Sequence, residues 1–469
     1  MATPTLLDLA RASTGTVVVD GARLAAADLV AAARPAAAAL HERGVRPGDG
    51  VLLVDDGGGA DLLAAMLGVW WVGGRAAVLP AGAPAVHRAA VLRQTGAVLT
   101  VSADAGPGQA AYADLLAHPG RAVAQVCDPQ DAALDVFSSG TTGQAKCVSF
   151  SHGALWRNVQ AYADRLGLSG RDVLYSPLPL SLAGVLGMVL LPGLLAGASV
   201  HLGRLGGAQA AWAGRQLDAA EPTLLYGVPY TFEILARQRA PRRTAALRWA
   251  VCSSAPLPAA TFDRVHAHLG VPPRSSYCLV EAGTVTVNTS ADLDELRHTV
   301  GGVLDGVELT LEPAADGAGR IVIGGTSCGS GYRHDGELRP FPGGAVRTND
   351  LGRLAGGQLV VTGRVDEVIQ VAGQSVDLAH LSRVLADCPG LGDHAVVVDQ
   401  HEQLGTVPVL LVETGSTTAS AAELLAFCRA RLRAVEVPRQ VRFVDTIART
   451  ATGKVPLAGA GPQREGAGS

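Results

Sequence analysis

The sequence predicts an α/β protein in two parts: a large N-terminal domain of layered α/β units over residues 1–364 and a small α+β domain over residues 365–469. Three observations support this reading. Strand-like and helix-like patterns alternate through the first part, as expected of α/β layers. A compact run of helix, two strands, helix and strand ends the chain. Its 469 residues suffice for two or three domains, at roughly 100–200 residues each. With 48% hydrophobic and 17% charged residues, against a usual charged share of about 25%, the chain has the composition of a folded protein.

The elements follow in order. TVVV reads as a strand, Leu24–Arg43 as an Ala-rich helix and RPGDG as a turn. VLLV (51–54) and AAVL (76–79) read as strands flanking a helix through Leu62–Val72. ALDVFS is a strand by alternation, a Ser/Gly/Thr loop follows, and KCVSF is a second strand. Ser151 is placed to cap a helix whose apolar positions Leu155, Val159, Tyr162 and Leu166 recur at helical spacing. The run Gly184–Val200 is apolar but interrupted by Pro192 and internal glycines, too short for a membrane span and suited to buried core. After Pro340 two short strand pairs separated by glycines are expected, with a linker near Gly363–Glu367. The last part reads as helix Leu378–Ala386, strands HAVVV and VPVLLVE, helix Ala421–Leu432 capped by Ser420, and strand QVRFV. The tail after about residue 457, LAGAGPQREGAGS, has the composition of a disordered segment.

Lys+Arg 38 against Asp+Glu 42 leaves a net charge of -4, which argues against a broad footprint for nucleic acid or anionic lipid. A small polyanion needs only a local site. The seven cysteines are scattered, with no C-x-x-C pair and no zinc spacing, as expected of a reduced, cytoplasmic protein. The start, MATPTLLDLARAST, does not read as a secretory signal.

Of the 38 basic residues only Lys146 and Lys454 are lysines. In a chain that otherwise uses arginine, a retained lysine points to a site needing a compact, mobile ammonium rather than a planar fork. Both lie in glycine-containing segments, GTTGQAK and TATGK. SSGTTGQAK (Ser138–Lys146) joins four hydroxyls, two glycines and one ammonium, a composition able to wrap a polyphosphate with short donors. It is not a Walker loop: Ala145 stands where the second glycine belongs, Cys147 follows the lysine, and a strand rather than a helix comes next.

SSGTTGQAK, YCLVEAG (Tyr277–Gly283), RTNDLGRL (Arg347–Leu354), GRVDEVIQVAG (Gly363–Gly373) and TATGK (Thr450–Lys454) occur in this order over nearly the whole chain. In this the sequence resembles the adenylate-forming superfamily of acyl-CoA synthetases, peptide-synthetase adenylation domains and luciferases. The resemblance implies ATP-dependent activation of a small-molecule carboxylic acid to an acyl adenylate with pyrophosphate release, followed by acyl transfer. It assigns Ser138, Ser139, Gly140, Thr141, Thr142, Gly143 and Lys146 to the ATP phosphates. Tyr277 and Cys278 would lie at the adenine, Glu281 would help hold Mg²⁺, and Asp350 with Arg364 would hold the ribose. Ser253, Ser254, Ala255 and Pro256 would run along the adenine. Lys454 would reach from a mobile C-terminal domain to bridge the acid and ATP, and rotation about Asp366 would withdraw it while a thiol enters past Gly373.

Several positions depart from the family pattern. Cys278 and Asn349 stand for glycines, Val280 for a threonine, Gln370 for a lysine, His380 for a glutamate, and Leu182 for a histidine frequent in acyl-CoA synthetases. Lys146, Glu281, Asp350, Arg364 and Lys454 are retained, so adenylation is expected to survive. The acceptor is CoA by resemblance, with an amine or a separate carrier protein as the alternative and a decayed nucleotide-binding protein as a third reading. PLPLSLAG lacks an aspartate to pair with an α-ammonium, so the acid is not an ordinary amino acid. Leu182, Ala183, Tyr226, Gly227, Val228, Tyr230, Val280 and Gly283, mostly apolar, are the pocket candidates and point to an aromatic or short acyl acid.

Overall fold

The computed structural model describes residues 3–19, 21–56, 59–120, 122–137, 146–203, 217, 219–237, 245–313, 318–365, 368–371, 374–401, 405–449 and 455. Among them, an eight-stranded sheet runs in the order Glu337–Pro340, Gly331–His334, Cys147–Ser151, Ala132–Phe137, Arg75–Pro80, Gly50–Asp55, Ala97–Ser102, Ala110–Ala111. A seven-stranded sheet runs Pro273–Ser275, Trp249–Cys252, Leu224–Gly227, Val173–Ser176, Ser199–Leu202, Thr16–Val19, Ala22–Ala25, and is parallel except for the last pair. Buried side chains of helices Ala26–Glu42, Gly59–Trp71 and His152–Leu166, among them Leu40, Leu63, Trp70 and Tyr162, join both sheets in one core.

A four-stranded antiparallel sheet follows, from Glu308–Glu312 to the hairpin of Ala345–Ala355 with Gln358–Arg364. From Val368 onward the strands pair only with one another among the described residues: Gln374–Asp377, Val368–Val371, Gly405–Glu413, His394–His401 and Gln440–Val444. This part buries its own cluster, including Leu381, Leu385, Leu410 and Leu424. The architecture is the α/β layering followed by a small α+β unit that the patterning predicts.

Local signals account for several elements. Ser151 Oγ accepts from the Ala154 amide at 3.2 Å, and Leu155, Val159, Tyr162 and Leu166 are all buried. Ser420 and Glu423 form a capping box at the start of Ala421–Arg429. The apolar run is core: a short helix (Ala183–Val185), a π-helical turn (Leu186–Leu190), a helix (Leu191–Ala196) and the strand Ser199–Leu202. Among the described residues, no helix is long and apolar enough to cross a membrane.

Two expectations need correction. The helix predicted from Leu24 begins at Ala26, because Ala22–Ala25 pairs antiparallel with Thr16–Val19 and extends the sheet by one edge strand. The helix predicted to end at Leu432 ends at Arg429, where the amides of both Arg431 and Leu432 bond to the Cys428 carbonyl and tighten the chain into a turn. The tail expected to be disordered lies outside the described residues.

Candidate active site

Strands Ala132–Phe137 and Cys147–Ser151 pair antiparallel with Phe137 opposite Cys147, so the segment expected to bind phosphates connects adjacent strands. Its residues Ser138, Ser139, Gly140, Thr141, Thr142 and Gly143 lie outside the described residues, as do Lys454, Asp366 and Gly373. Lys146 stands immediately before Cys147–Ser151, with its Nζ 5.3 Å from the centroid of the Tyr332 ring. Tyr332 lies on the neighbouring strand, opposite Val148, and its hydroxyl donates to Glu281 Oε1 at 2.9 Å. Burial, and then the charge of Glu281, push the phenol pKa upward, so the hydroxyl keeps its proton and acts as donor. Lys146 and Glu281, far apart in sequence, thus meet on opposite parts of one tyrosine. Sequence reasoning missed Tyr332, since only the pairing of two distant strands brings it to Lys146.

A buried ionic centre braces these strands. Asp135 accepts from Arg75 Nε at 3.1 Å, from Arg333 Nε at 3.4 Å and from Ser149 Oγ at 2.7 Å. The four side chains come from four consecutive strands of the eight-stranded sheet. They tie together the strand after Lys146 and the strand that carries Tyr332.

The second cluster forms where Asp350 and Arg364 face each other across the hairpin of their two strands. Arg364 Nη1 donates to Asp350 Oδ1 at 2.7 Å, and the Tyr277 hydroxyl donates to Asp350 Oδ2. Burial, reinforced by the Asp350 charge, raises the Tyr277 pKa far above that of a free phenol. Each carboxylate oxygen carries two lone pairs, so Asp350, though only 5% exposed, retains capacity for a further donor such as a sugar hydroxyl.

The third group sits at the C-terminal ends of parallel strands, where open α/β sheets bind ligands. Tyr226, Gly227 and Val228 close strand Leu224–Gly227 and are buried. Ser253 is buried, Ser254 adopts a left-handed φ of 76°, Ala255 is half-buried and Pro256 exposed. Leu182, Ala183, Cys278 and Val280 are half-buried. Tyr230 is 47% exposed on helix Pro229–Ala236, and Gly283 packs on Asn158, whose amide spans Ala282 and Thr284. The structure therefore brings together Tyr226, Ser253 and Cys278.

Glu281 fits a divalent cation of the Mg²⁺ type. It is a half-buried carboxylate engaged by Tyr332 at Oε1, on the same tyrosine that Lys146 approaches, and Mg²⁺ is commonly held by one or two carboxylates together with substrate phosphates.

Residues 9–333 match the AMP-binding enzyme family and residues 382–454 match the AMP-binding enzyme C-terminal domain. The chain is 30% identical over 378 residues to indoleacetate–CoA ligase of Aromatoleum aromaticum, covering 76% of this chain and 73% of that protein. It is 32% identical over 342 residues to a probable 2-succinylbenzoate–CoA ligase of Mycobacterium tuberculosis, covering 70% and 83% respectively. In fold it resembles o-succinylbenzoate CoA synthetase of Bacillus subtilis in complex with its acyl-adenylate intermediate, with TM-score 0.85, 20% identity and coverage of 97% and 98%. Order of motifs, layered architecture and family match agree: the chain belongs to the AMP-binding, adenylate-forming enzyme family and is an AMP-forming acid ligase.

Proposed function

We propose that this enzyme activates an aromatic or short acyl carboxylic acid with ATP, releases pyrophosphate and passes the acyl group from the adenylate to CoA. The observation that carries the proposal is the convergence of Lys146 and Glu281 on Tyr332, together with the Tyr277–Asp350–Arg364 cluster. A carboxylate attacking the α-phosphorus must approach a polyanion, so catalysis needs positioning and neutralisation of departing charge. In this reading Lys146 and the donors of Ser138–Gly143 hold the leaving phosphates, and Asp350 with Arg364 orients the ribose. Mg²⁺, held by Glu281, would supply the remaining charge neutralisation. Lys454 bridges the acid and ATP, then leaves by rotation about Asp366 so that CoA can enter past Gly373. The change of sheet between Arg364 and Val368 supports a domain boundary at 364/365.

Relatives that act on indoleacetate and 2-succinylbenzoate support an aromatic acid and CoA as acceptor. The test is ATP–pyrophosphate exchange over a panel of carboxylic acids, followed by mass spectrometry with CoA. Acid-dependent exchange and an acyl-CoA product are expected. Exchange without thioester would turn the acceptor to an amine or a separate carrier protein. Tight ATP binding with no exchange for any acid would overturn the catalytic reading.

A further inference from the structure

Tyr226 and Ser253 end neighbouring parallel strands whose register sets Gly227 opposite Cys252. Their hydroxyls share a 2.8 Å hydrogen bond and both residues are almost fully buried. The Tyr226 phenol lies against Gly184: a Cβ there would stand 2.0 Å from the Tyr226 hydroxyl oxygen. Glycine makes room for the ring.

Successive side chains of extended backbone point to opposite faces. Tyr277 reaches Asp350, and Cys278 accordingly turns the other way, with its Sγ 3.4 Å from Ser276 Oγ and 3.7 Å from Met188 Sδ. Met188 is delivered by the π-helical turn Leu186–Leu190, a distortion frequent at functional sites. Tyr162 approaches from helix His152–Leu166, completely buried, with Cys278 and Tyr226 as its titratable neighbours. Among the described residues its hydroxyl has no hydrogen-bond partner. Buried hydroxyls are nearly always paired, so this one has capacity for a partner brought to it. The ribose cluster and this polar floor lie back to back across the backbone of Tyr277 and Cys278.

Resting on the acid-activating reading above, we propose that the hydroxyls of Tyr226, Ser253 and Tyr162 form the far end of the acid subsite. They select a small acid, of about one ring, that carries a hydroxyl or amino group remote from its carboxylate. Apolar neighbours such as Leu182, Ala183 and Val280 cover the ring, and the substituent pairs with Tyr226 and with the otherwise unpartnered Tyr162. Longer acids are stopped by the phenol seated over Gly184.

The test compares kcat/KM in ATP–pyrophosphate exchange for benzoate with that for its hydroxy- and amino-substituted forms, in wild type, Tyr226→Phe and Tyr162→Phe. Wild type is expected to prefer one substituted acid by at least tenfold, since a site built to pair a hydroxyl rejects the analogue lacking it. In each variant that preference should fall to about threefold or less. The ratio is internal to each protein, so a general loss of activity does not move it. Tyr162→Phe, by removing an unpaired buried group, should also raise the melting temperature of the substrate-free protein. Equal or better use of benzoate by wild type, or a preference that survives both substitutions, would overturn the inference and leave acid activation standing. A lowered melting temperature with an unchanged ratio would make the Tyr162 hydroxyl structural and overturn it as well. Exchange with no acid at all would bring down the underlying reading, and this inference with it.

Discussion

The Tyr332 hydroxyl donates to Glu281 Oε1 at 2.9 Å while the Lys146 ammonium lies 5.3 Å from the centre of the same ring. One side chain therefore sets the position of the carboxylate proposed to hold Mg²⁺ and flanks the ammonium proposed to hold phosphate. Tyr332→Phe removes the hydrogen bond and keeps the ring. Hydrogen bonds to charged groups contribute about 1.5–3 kcal/mol, so the Mg²⁺ concentration for half-maximal exchange should rise by roughly ten- to a hundredfold. Tyr332→Leu, which also removes the ring, should weaken ATP binding further. An unaltered Mg²⁺ dependence in the phenylalanine variant would separate Tyr332 from the metal.

Lys454→Ala should lower acid-dependent pyrophosphate exchange by about 10²-fold or more, the scale for deleting one preorganised charge-stabilising group. Exchange near the wild-type rate would refute the role proposed for this lysine.

Asp135→Asn removes the carboxylate that pairs with both Arg75 and Arg333, each less than a tenth exposed. Breaking a buried ion pair on one side costs about 3–5 kcal/mol, because the remaining charge stays buried. Urea unfolding should show a shift of that order. A change below about 1 kcal/mol would mean that solvent or rearrangement compensates the two guanidinium groups.

His152 is buried, accepts from the Leu6 amide at Nδ1 and packs edge-on to Trp70. Burial pushes its pKa from 6.5 down to about 4. An unfolded chain takes up this proton near pH 6.5 and the folded protein only near 4, so the neutral ring's contribution is complete above pH 6.5. It declines as the pH falls toward 4, by an amount on the order of 3 kcal/mol. Urea midpoints between pH 7.5 and 4.5 should fall less steeply for His152→Gln than for wild type. Parallel pH profiles would rule out the ring as the source.

Ser254 holds a φ of 76°, a conformation that costs a residue with a side chain about 1–2 kcal/mol. Ser254→Gly is therefore expected to raise the melting temperature. A lower value would mean that the hydroxyl contact to Ser253, 3.5 Å away, outweighs the backbone relief.

The sequence by itself determined the class of fold, the family and the chemistry. Two lysines in an arginine-rich chain, five motifs in order and one helix cap at Ser151 are local features, readable without knowing what they touch. The hairpin that faces Asp350 with Arg364 was also legible, since both lie in adjacent motifs joined by a short glycine turn. Tertiary structure decided the rest. Tyr332 against Lys146, Arg75 and Arg333 on Asp135, and Tyr162 beside Cys278 all depend on how distant strands and helices pack. Side-chain periodicity says which face of an element is buried, but not which element will cover it; that is set by sheet order and register, which exist only once the chain has folded.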